Sequence, residues 1–99
     1  MILKKENQGT IIVPKGDLGI GKVEELENRI LELIVDGNYN IIIDFSQVQS
    51  IDISGLSMLL TIVNELIKRG KRLKLVNVIS PGVRDMLKSI YLDDLVQIE

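Results

Sequence analysis

A carboxylate and a hydroxyl stand two residues apart at Asp52 and Ser54, directly before a long apolar segment with helical spacing. Either side chain can accept hydrogen bonds from the free N–H groups of the first helical turn, so either can cap the helix. Such a helix end also attracts anions, including a phosphate carried by a nearby hydroxyl. The chemistry that these residues favour is therefore the handling of an anion or a phosphate at the helix start.

Acid–base catalysis is the other chemistry to consider, and its candidate groups are Asp17, Asp44 and Asp52. It needs a carboxylate with a shifted pKa inside a cleft, and the sequence gives no sign of such a cleft. The chain has no histidine and no cysteine, which excludes imidazole and thiolate metal ligands, a cysteine nucleophile and histidine acid–base chemistry. We therefore expect a protein that is not an enzyme and that holds no metal or cofactor.

The segment before Asp52 is predicted to form a buried strand that leads into the helix. Ile41, Ile42 and Ile43 are consecutive and β-branched, which is typical of a parallel strand covered on both faces. Asp44 ends this apolar run, and a short connection leads to the helix, which we predict over about residues 54–69 with Gly70 as a left-handed cap. We expect function where strand and helix meet.

The remaining segments alternate between strand and helix patterns. The predicted elements, in chain order, are a hairpin over residues 1–14 with its turn at 7–9, a helix over 22–35, a strand over 39–45, the helix over 54–69, a strand over 72–76, a helix beginning at Ser80-Pro81 and a strand over 95–98. Strands separated by helices pair in parallel through right-handed crossovers. The fold class is therefore α/β, with a mixed, mostly parallel sheet of four to five strands and helices mainly on one face.

Length and composition restrict the function further. A chain of 99 residues with 45% hydrophobic content fits one domain, residues 1–99, around a single core. The net charge of −2 comes from well-mixed charges, which argues against a nucleic-acid partner. No apolar run approaches membrane-spanning length and the N-terminus lacks the pattern of a signal peptide, so we expect a cytoplasmic protein without direct membrane insertion.

Motifs along nearly the whole chain resemble those of the STAS domains of bacterial anti-sigma factor antagonists. The resemblance rests on Ile51-Asp-Ile-Ser-Gly-Leu56, on the basic stretch over residues 68–77, on Gly16-Asp17-Leu18 and on the helix that begins at Ser80-Pro81. It implies a small two-layer STAS-like domain, as a monomer or weak dimer, that switches between protein partners. In this family the unphosphorylated antagonist binds a kinase-type anti-sigma factor, and phosphorylation of a serine at this helix start reverses that choice.

Two positions differ from the commonest form of the family motif. Ile53 stands where that motif has its phosphorylated serine, so Ser54, at the second hydroxyl position, is the candidate phosphoacceptor. Gly19 stands where the family has an aspartate close to the acceptor. The resemblance leaves three alternatives: an antagonist phosphorylated on Ser54, an antagonist without phosphoregulation, and a stand-alone STAS subunit of a transporter or other signalling complex.

The predicted contact surface combines the helix start with the loop over residues 17–22. We expect the partner-binding residues to be Asp17, Asp52, Ile53, Ser54, Ser57 and Met58. Ile53 contributes contact area if it is exposed and belongs to the core if it is buried. Helical spacing places Leu56, Leu59, Leu60, Val63, Leu66 and Ile67 in the core, and Ser57, Met58, Thr61 and Ile62 on the other side.

Overall fold

The computed structural model describes residues 2–6, 9–90 and 92–99. Its helices are α1 (Val23–Val35), α2 (Ile53–Ile67) and α3 (Pro81–Ser89), with a short 3-10 helix at Leu92–Asp94. Its strands are β1 (Ile2–Glu6), β2 (Gly9–Val13), β3 (Gly16–Leu18), β4 (Ile41–Asp44), β5 (Val48–Ile51), β6 (Lys74–Val76) and β7 (Gln97–Ile98). The predicted helices and the predicted strands are thus present, with ends that differ by up to two residues.

Five of the strands form one sheet in the order β1-β2-β4-β6-β7. β1 is antiparallel to β2, and every other neighbouring pair in this sheet is parallel. The prediction of a mixed, mostly parallel sheet is confirmed. Asn7 and Gln8 of the predicted hairpin turn lie outside the described residues.

The order of the strands explains why the helices share one face of the sheet. From β2 through β4 and β6 to β7, each connection moves to the next strand in the same direction, and right-handed crossovers then place every helix on the same side. In register across the sheet, Ile12, Ile43 and Leu75 are fully buried. They belong to one core cluster with buried residues of all three helices, such as Leu59 of α2.

The face of this sheet opposite the helices does not belong to the core cluster, in contrast to the prediction. The run of isoleucines predicted a strand packed on both faces, yet only Ile41 and Ile43 join the core cluster. Ile42 is buried but lies outside that cluster, in register between Ile11 of β2 and Lys74 of β6. Its burial comes from its neighbours within the sheet, because the helices lie on the opposite face.

A small second sheet of two parallel strands, β3 and β5, was not predicted. Strands of three and four residues are too short to show a clear hydrophobic period, so both segments were predicted to be connections. Leu18 and Ile51 are in register and buried in the core, whereas Asp17 and Ser50 are in register and exposed. This ribbon fixes the position from which the chain enters α2.

The helix ends follow the predicted capping residues. Gly70 follows α2 with a φ of 73°, and Ser80 accepts a hydrogen bond from the N–H of Val83 at the start of α3. Lys68 and Arg69, in the turn after α2, both bind Glu65. Within the described residues, no helix combines the length and apolar character needed to cross a bilayer.

Candidate functional site

Asp52 is the residue that caps α2. Its backbone is extended, with φ −111° and ψ −172°, and its Oδ1 atom accepts hydrogen bonds from the N–H groups of Ser54 at 2.8 Å and Gly55 at 3.1 Å. The next N–H group, of Leu56, binds the carbonyl oxygen of Asp52. Of the two capping residues that the sequence offered, Asp52 takes the role, and Ser54 lies inside the first turn with a half-buried side chain.

The second carboxylate oxygen of Asp52 holds the loop that follows β3. Asp52 Oδ2 accepts a hydrogen bond from the N–H of Ile20 at 3.3 Å, and the N–H of Asp52 donates to the carbonyl of Leu18 at 3.1 Å. One side chain therefore joins the helix start to a loop 32 residues earlier in the chain. Local sequence patterns did not reveal this connection.

Gly19 leaves room for that carboxylate. A Cβ atom at position 19 would lie 2.6 Å from Asp52 Oδ2, closer than side chains approach in folded proteins. The aspartate that the resembled family has at this position would also bring a second negative charge near the Asp52 carboxylate. The absence of a side chain at position 19 therefore allows the Asp52 carboxylate to lie close to this loop.

Asp17 and Ser50 form a second polar pair beside the cap. The Ser50 hydroxyl donates a hydrogen bond of 2.8 Å to Asp17 Oδ1 across the β3–β5 ribbon. Because side chains alternate along a strand, Ser50 and Asp52 project to the same side. The predicted contact residues Asp17 and Asp52 therefore lie on one exposed surface.

Two isoleucines flank the capping carboxylate and are open to solvent. Ile53, the first residue of α2, is 74% exposed, and Ile20 is 86% exposed. The exposure of Ile53 decides between its two predicted roles in favour of the surface. Ile20 lies within the predicted contact loop but was not singled out, since a lone isoleucine between glycines carries no periodic signal. We call the residues Asp17, Ile20, Asp52, Ile53, Ser54 and Ser57 the helix-start surface.

Met58 does not belong to this surface, so its prediction as a contact residue is wrong. Its side chain is only 2% exposed and belongs to the core cluster, as does that of Ile62. Helix α2 packs against both α1 and β5, so its buried face is wider than the stripe that spacing predicts. Ser57, one turn after Ile53, remains exposed as expected. Ile67, expected in the core, is 47% exposed.

The three aspartates considered for acid–base chemistry belong to separate sets of hydrogen bonds. Asp44 accepts from the N–H of Ser46 at 2.8 Å and from the Asn77 amide at 3.2 Å. Burial raises the pKa of the Asp44 carboxyl, but the hydrogen bonds from Ser46 and Asn77 and the charge of Lys4 outweigh it and hold the pKa below its ordinary value. Across residues 2–6, 9–90 and 92–99, no group of three acidic side chains is arranged to hold a metal ion.

The dual role of Asp52 gives a testable prediction. Asp52→Ala removes the acceptor of three N–H groups, and we expect it to lower the free energy of unfolding by about 1 kcal/mol, within the usual range for a lost cap. It should also speed hydrogen exchange of the Ile20 amide. Urea unfolding and amide exchange measure the two effects.

The matched control is Asp36→Ala. Asp36 is exposed and follows the last residue of α1, where a negative charge is unfavourable to the helix dipole. We expect its replacement to leave stability within about 0.5 kcal/mol of the unaltered protein. Unchanged exchange of the Ile20 amide in Asp52→Ala would contradict the assigned link between loop and helix.

Comparison with solved structures places this geometry among known folds. The chain is similar to a candidate anti-sigma factor antagonist from Thermotoga maritima, with 23% identity and a TM-score of 0.91 over 98% of this chain and 83% of the other. It is similar to the anti-sigma factor antagonist SpoIIAA in its unphosphorylated form, with 25% identity and a TM-score of 0.79 over 99% and 86% of the two chains. For phosphorylated SpoIIAA of Bacillus, the identity is 25% and the TM-score 0.78, over 99% and 89%.

The sequence comparisons agree with the structural ones at the level of the family. No curated protein sequence matches the chain. The STAS domain family, in contrast, matches over residues 1–99. The order of strands and helices, the cap at the start of α2 and this match over the whole length lead to one conclusion: the chain belongs to the STAS domain family.

Proposed function

We propose that this protein is an anti-sigma factor antagonist, a non-enzymatic cytoplasmic regulator that binds a kinase-type anti-sigma factor through the helix-start surface. The observation that carries the proposal is the set of three hydrogen bonds accepted by the Asp52 carboxylate, which joins the loop with Ile20 to the helix start that carries the exposed Ile53. The likeness to SpoIIAA, an antagonist of 25% identity, supports it.

Partner switching requires that a small chemical change alters this surface without unfolding the domain. The chain resembles SpoIIAA to nearly the same degree in its unphosphorylated and phosphorylated forms, with TM-scores of 0.79 and 0.78. This supports a switch in which charge changes while the fold is kept. A phosphate adds roughly −1.5 to −2 charges, which a helix start tolerates but an apolar or acidic interface does not.

Ser54 is the candidate phosphoacceptor in this proposal. Its N–H group is held by Asp52 Oδ1 at 2.8 Å, so a phosphate on the Ser54 hydroxyl would place a second anion beside the capping carboxylate. Repulsion between the two anions would change the surface where Ile20 and Ile53 are presented. Ile53 has no hydroxyl at the commonest acceptor position, so the proposal places the phosphate on Ser54.

Affinity purification of the tagged chain from its host bacterium tests the proposed partner. We expect it to recover a kinase-type anti-sigma factor, and to recover less of it with Ile53→Asp, which places a charge on the helix-start surface. Val35→Asp is the matched control, because Val35 is equally open to solvent at the far end of α1. Recovery of a transport ATPase or permease instead would support the alternative, a transporter subunit.

Incubation of the complex with ATP tests the regulation. We expect mass spectrometry to find phosphate on Ser54, none on Ser54→Ala, and release of the phosphorylated chain from the kinase. An Ile53→Ser variant restores the commonest acceptor position and should be phosphorylated faster, because position 53 is more exposed than position 54. Lasting partner binding with no phosphate on Ser54 would select the form without phosphoregulation.

A further inference from the structure

Ile20 and Ile53 are large apolar side chains that contribute nothing visible to the core. Their exposed fractions are 86% and 74%, and neither is among the partly buried residues that pack against the core cluster. Single exposed apolar residues are common and need no explanation. These two are different because both are adjacent to Asp52, Ile20 through a backbone hydrogen bond and Ile53 along the chain.

Asp52 provides that contact. Ile53 is the residue directly after Asp52, and the backbone N–H of Ile20 binds Asp52 Oδ2 at 3.3 Å. The same carboxylate fixes the first turn of α2 through Ser54 and Gly55. The two isoleucines are therefore presented on ordered backbone on either side of one side chain, so little conformational entropy is lost when a partner covers them.

The charges on the same surface indicate the chemistry of that partner. Asp17 and Asp52 are exposed carboxylates, and the ion pairs among the described residues involve only Glu65 and Glu99 as acids. Asp17 Oδ1 accepts from the neutral Ser50 hydroxyl and forms no ion pair among the described residues, although Lys15 and Lys22 line the same shallow cavity. Two exposed carboxylates that form no ion pair among the described residues, beside two apolar side chains, complement an apolar pocket with a basic rim.

We propose that Ile20 and Ile53 are the apolar anchors of the complex and enter a pocket of the partner whose rim carries Arg or Lys side chains facing Asp17 and Asp52. This inference rests on the proposed function, since the partner is taken to be the kinase-type anti-sigma factor. Ile20 and Ile53 then supply most of the affinity for the partner, and Asp17 and Asp52 make that affinity depend on salt.

Titration of the purified anti-sigma factor by calorimetry, at fixed salt, tests the anchors. Ile20→Ser and Ile53→Ser are each expected to weaken binding about tenfold or more, as truncation of a central contact does. Both residues lie outside the core, so circular dichroism and urea unfolding should match the unaltered chain. Val35→Ser is the control. Val35 is 77% exposed and is the last residue of α1, about 18 Å from the first residue of that helix.

Repeating the titration at rising salt tests the basic rim. Between 50 and 500 mM sodium chloride we expect the affinity of the unaltered chain to fall severalfold, because exposed charges are increasingly screened. Asp17→Asn keeps an acceptor for Ser50 but removes the charge, so it should bind more weakly at low salt and lose part of this salt dependence. Asp36→Asn, which changes a distant exposed carboxylate, should do neither.

The outcomes separate this inference from the proposed function. Binding by the unaltered chain together with full binding by both isoleucine variants would overturn the anchors and leave the proposed function standing. Binding that is insensitive to salt and to Asp17→Asn would overturn the basic rim. Absence of any binding by the unaltered chain would overturn both the inference and the proposed function.

Discussion

Replacing Met58 by alanine is expected to lower the free energy of unfolding by about 2–5 kcal/mol, the usual cost of truncating a buried methionine or leucine. Met58 is 2% exposed and belongs to the main core cluster, so the shorter side chain leaves a cavity among its neighbours. The loss includes both the transfer of apolar surface and the contacts missing around the cavity. Urea or thermal unfolding measures it directly.

Ser57→Ala is the matched control for this variant. Ser57 precedes Met58 on the same helix but is exposed, and its side chain makes no hydrogen bond to another described residue. We expect its replacement to change stability by less than about 0.5 kcal/mol. If Met58→Ala unfolded like the control and weakened only partner binding, the assignment of Met58 to the core would be wrong.

Gly55→Ala is expected to destabilise the protein by about 1–3 kcal/mol, although alanine is the better helix former. Helix propensity alone would favour alanine by about 1 kcal/mol. A Cβ atom at position 55, however, would lie 2.4 Å from the carbonyl oxygen of Leu18 and 2.6 Å from Cγ1 of Ile51. The Leu18 carbonyl is fixed because it accepts the N–H of Asp52, so the helix start itself must move.

Gly82→Ala separates the steric cost from helix propensity. Gly82 is also near the start of a helix, but the nearest atom to a Cβ there is the Ser80 hydroxyl oxygen at 3.8 Å, an ordinary contact. We expect this change to be neutral or to stabilise α3 by up to about 1 kcal/mol. Equal stability of Gly55→Ala and Gly82→Ala would show that α2 does not approach β3 as closely as described.

The Gly55 and Asp52 variants also connect stability to the proposed interface. Both residues fix the start of α2 against Leu18 and the loop that carries Ile20. A shift of this helix start would move Ile53 relative to Ile20, so Gly55→Ala should weaken partner binding as well as folding. Gly82→Ala offers the comparison, because Gly82 is near the start of α3 and lies outside the helix-start surface.

Much of the fold follows from local patterns in the sequence. The spacing of Val23, Leu26 and Ile30 predicts α1, and Ser80-Pro81 and Gly70 mark helix ends where the structure has them. These signals succeed because helix periodicity and capping depend on residues within a few positions of one another. The short strands β3 and β5 were not predicted, because each is defined by its hydrogen bonds to the other and not by a local sequence pattern.

Local patterns were sufficient to predict the α/β class, the elements of the main sheet, the resemblance to STAS domains and a candidate site at residues 52–54. Only the folded chain shows which acceptor caps α2, that Met58 is buried while Ile53 is exposed, and that the Ile20 loop binds Asp52. The physical reason is distance along the chain. Ile20 and Asp52 are 32 residues apart, and the side of a helix that is buried depends on which elements pack around it, so neither fact is encoded in local spacing.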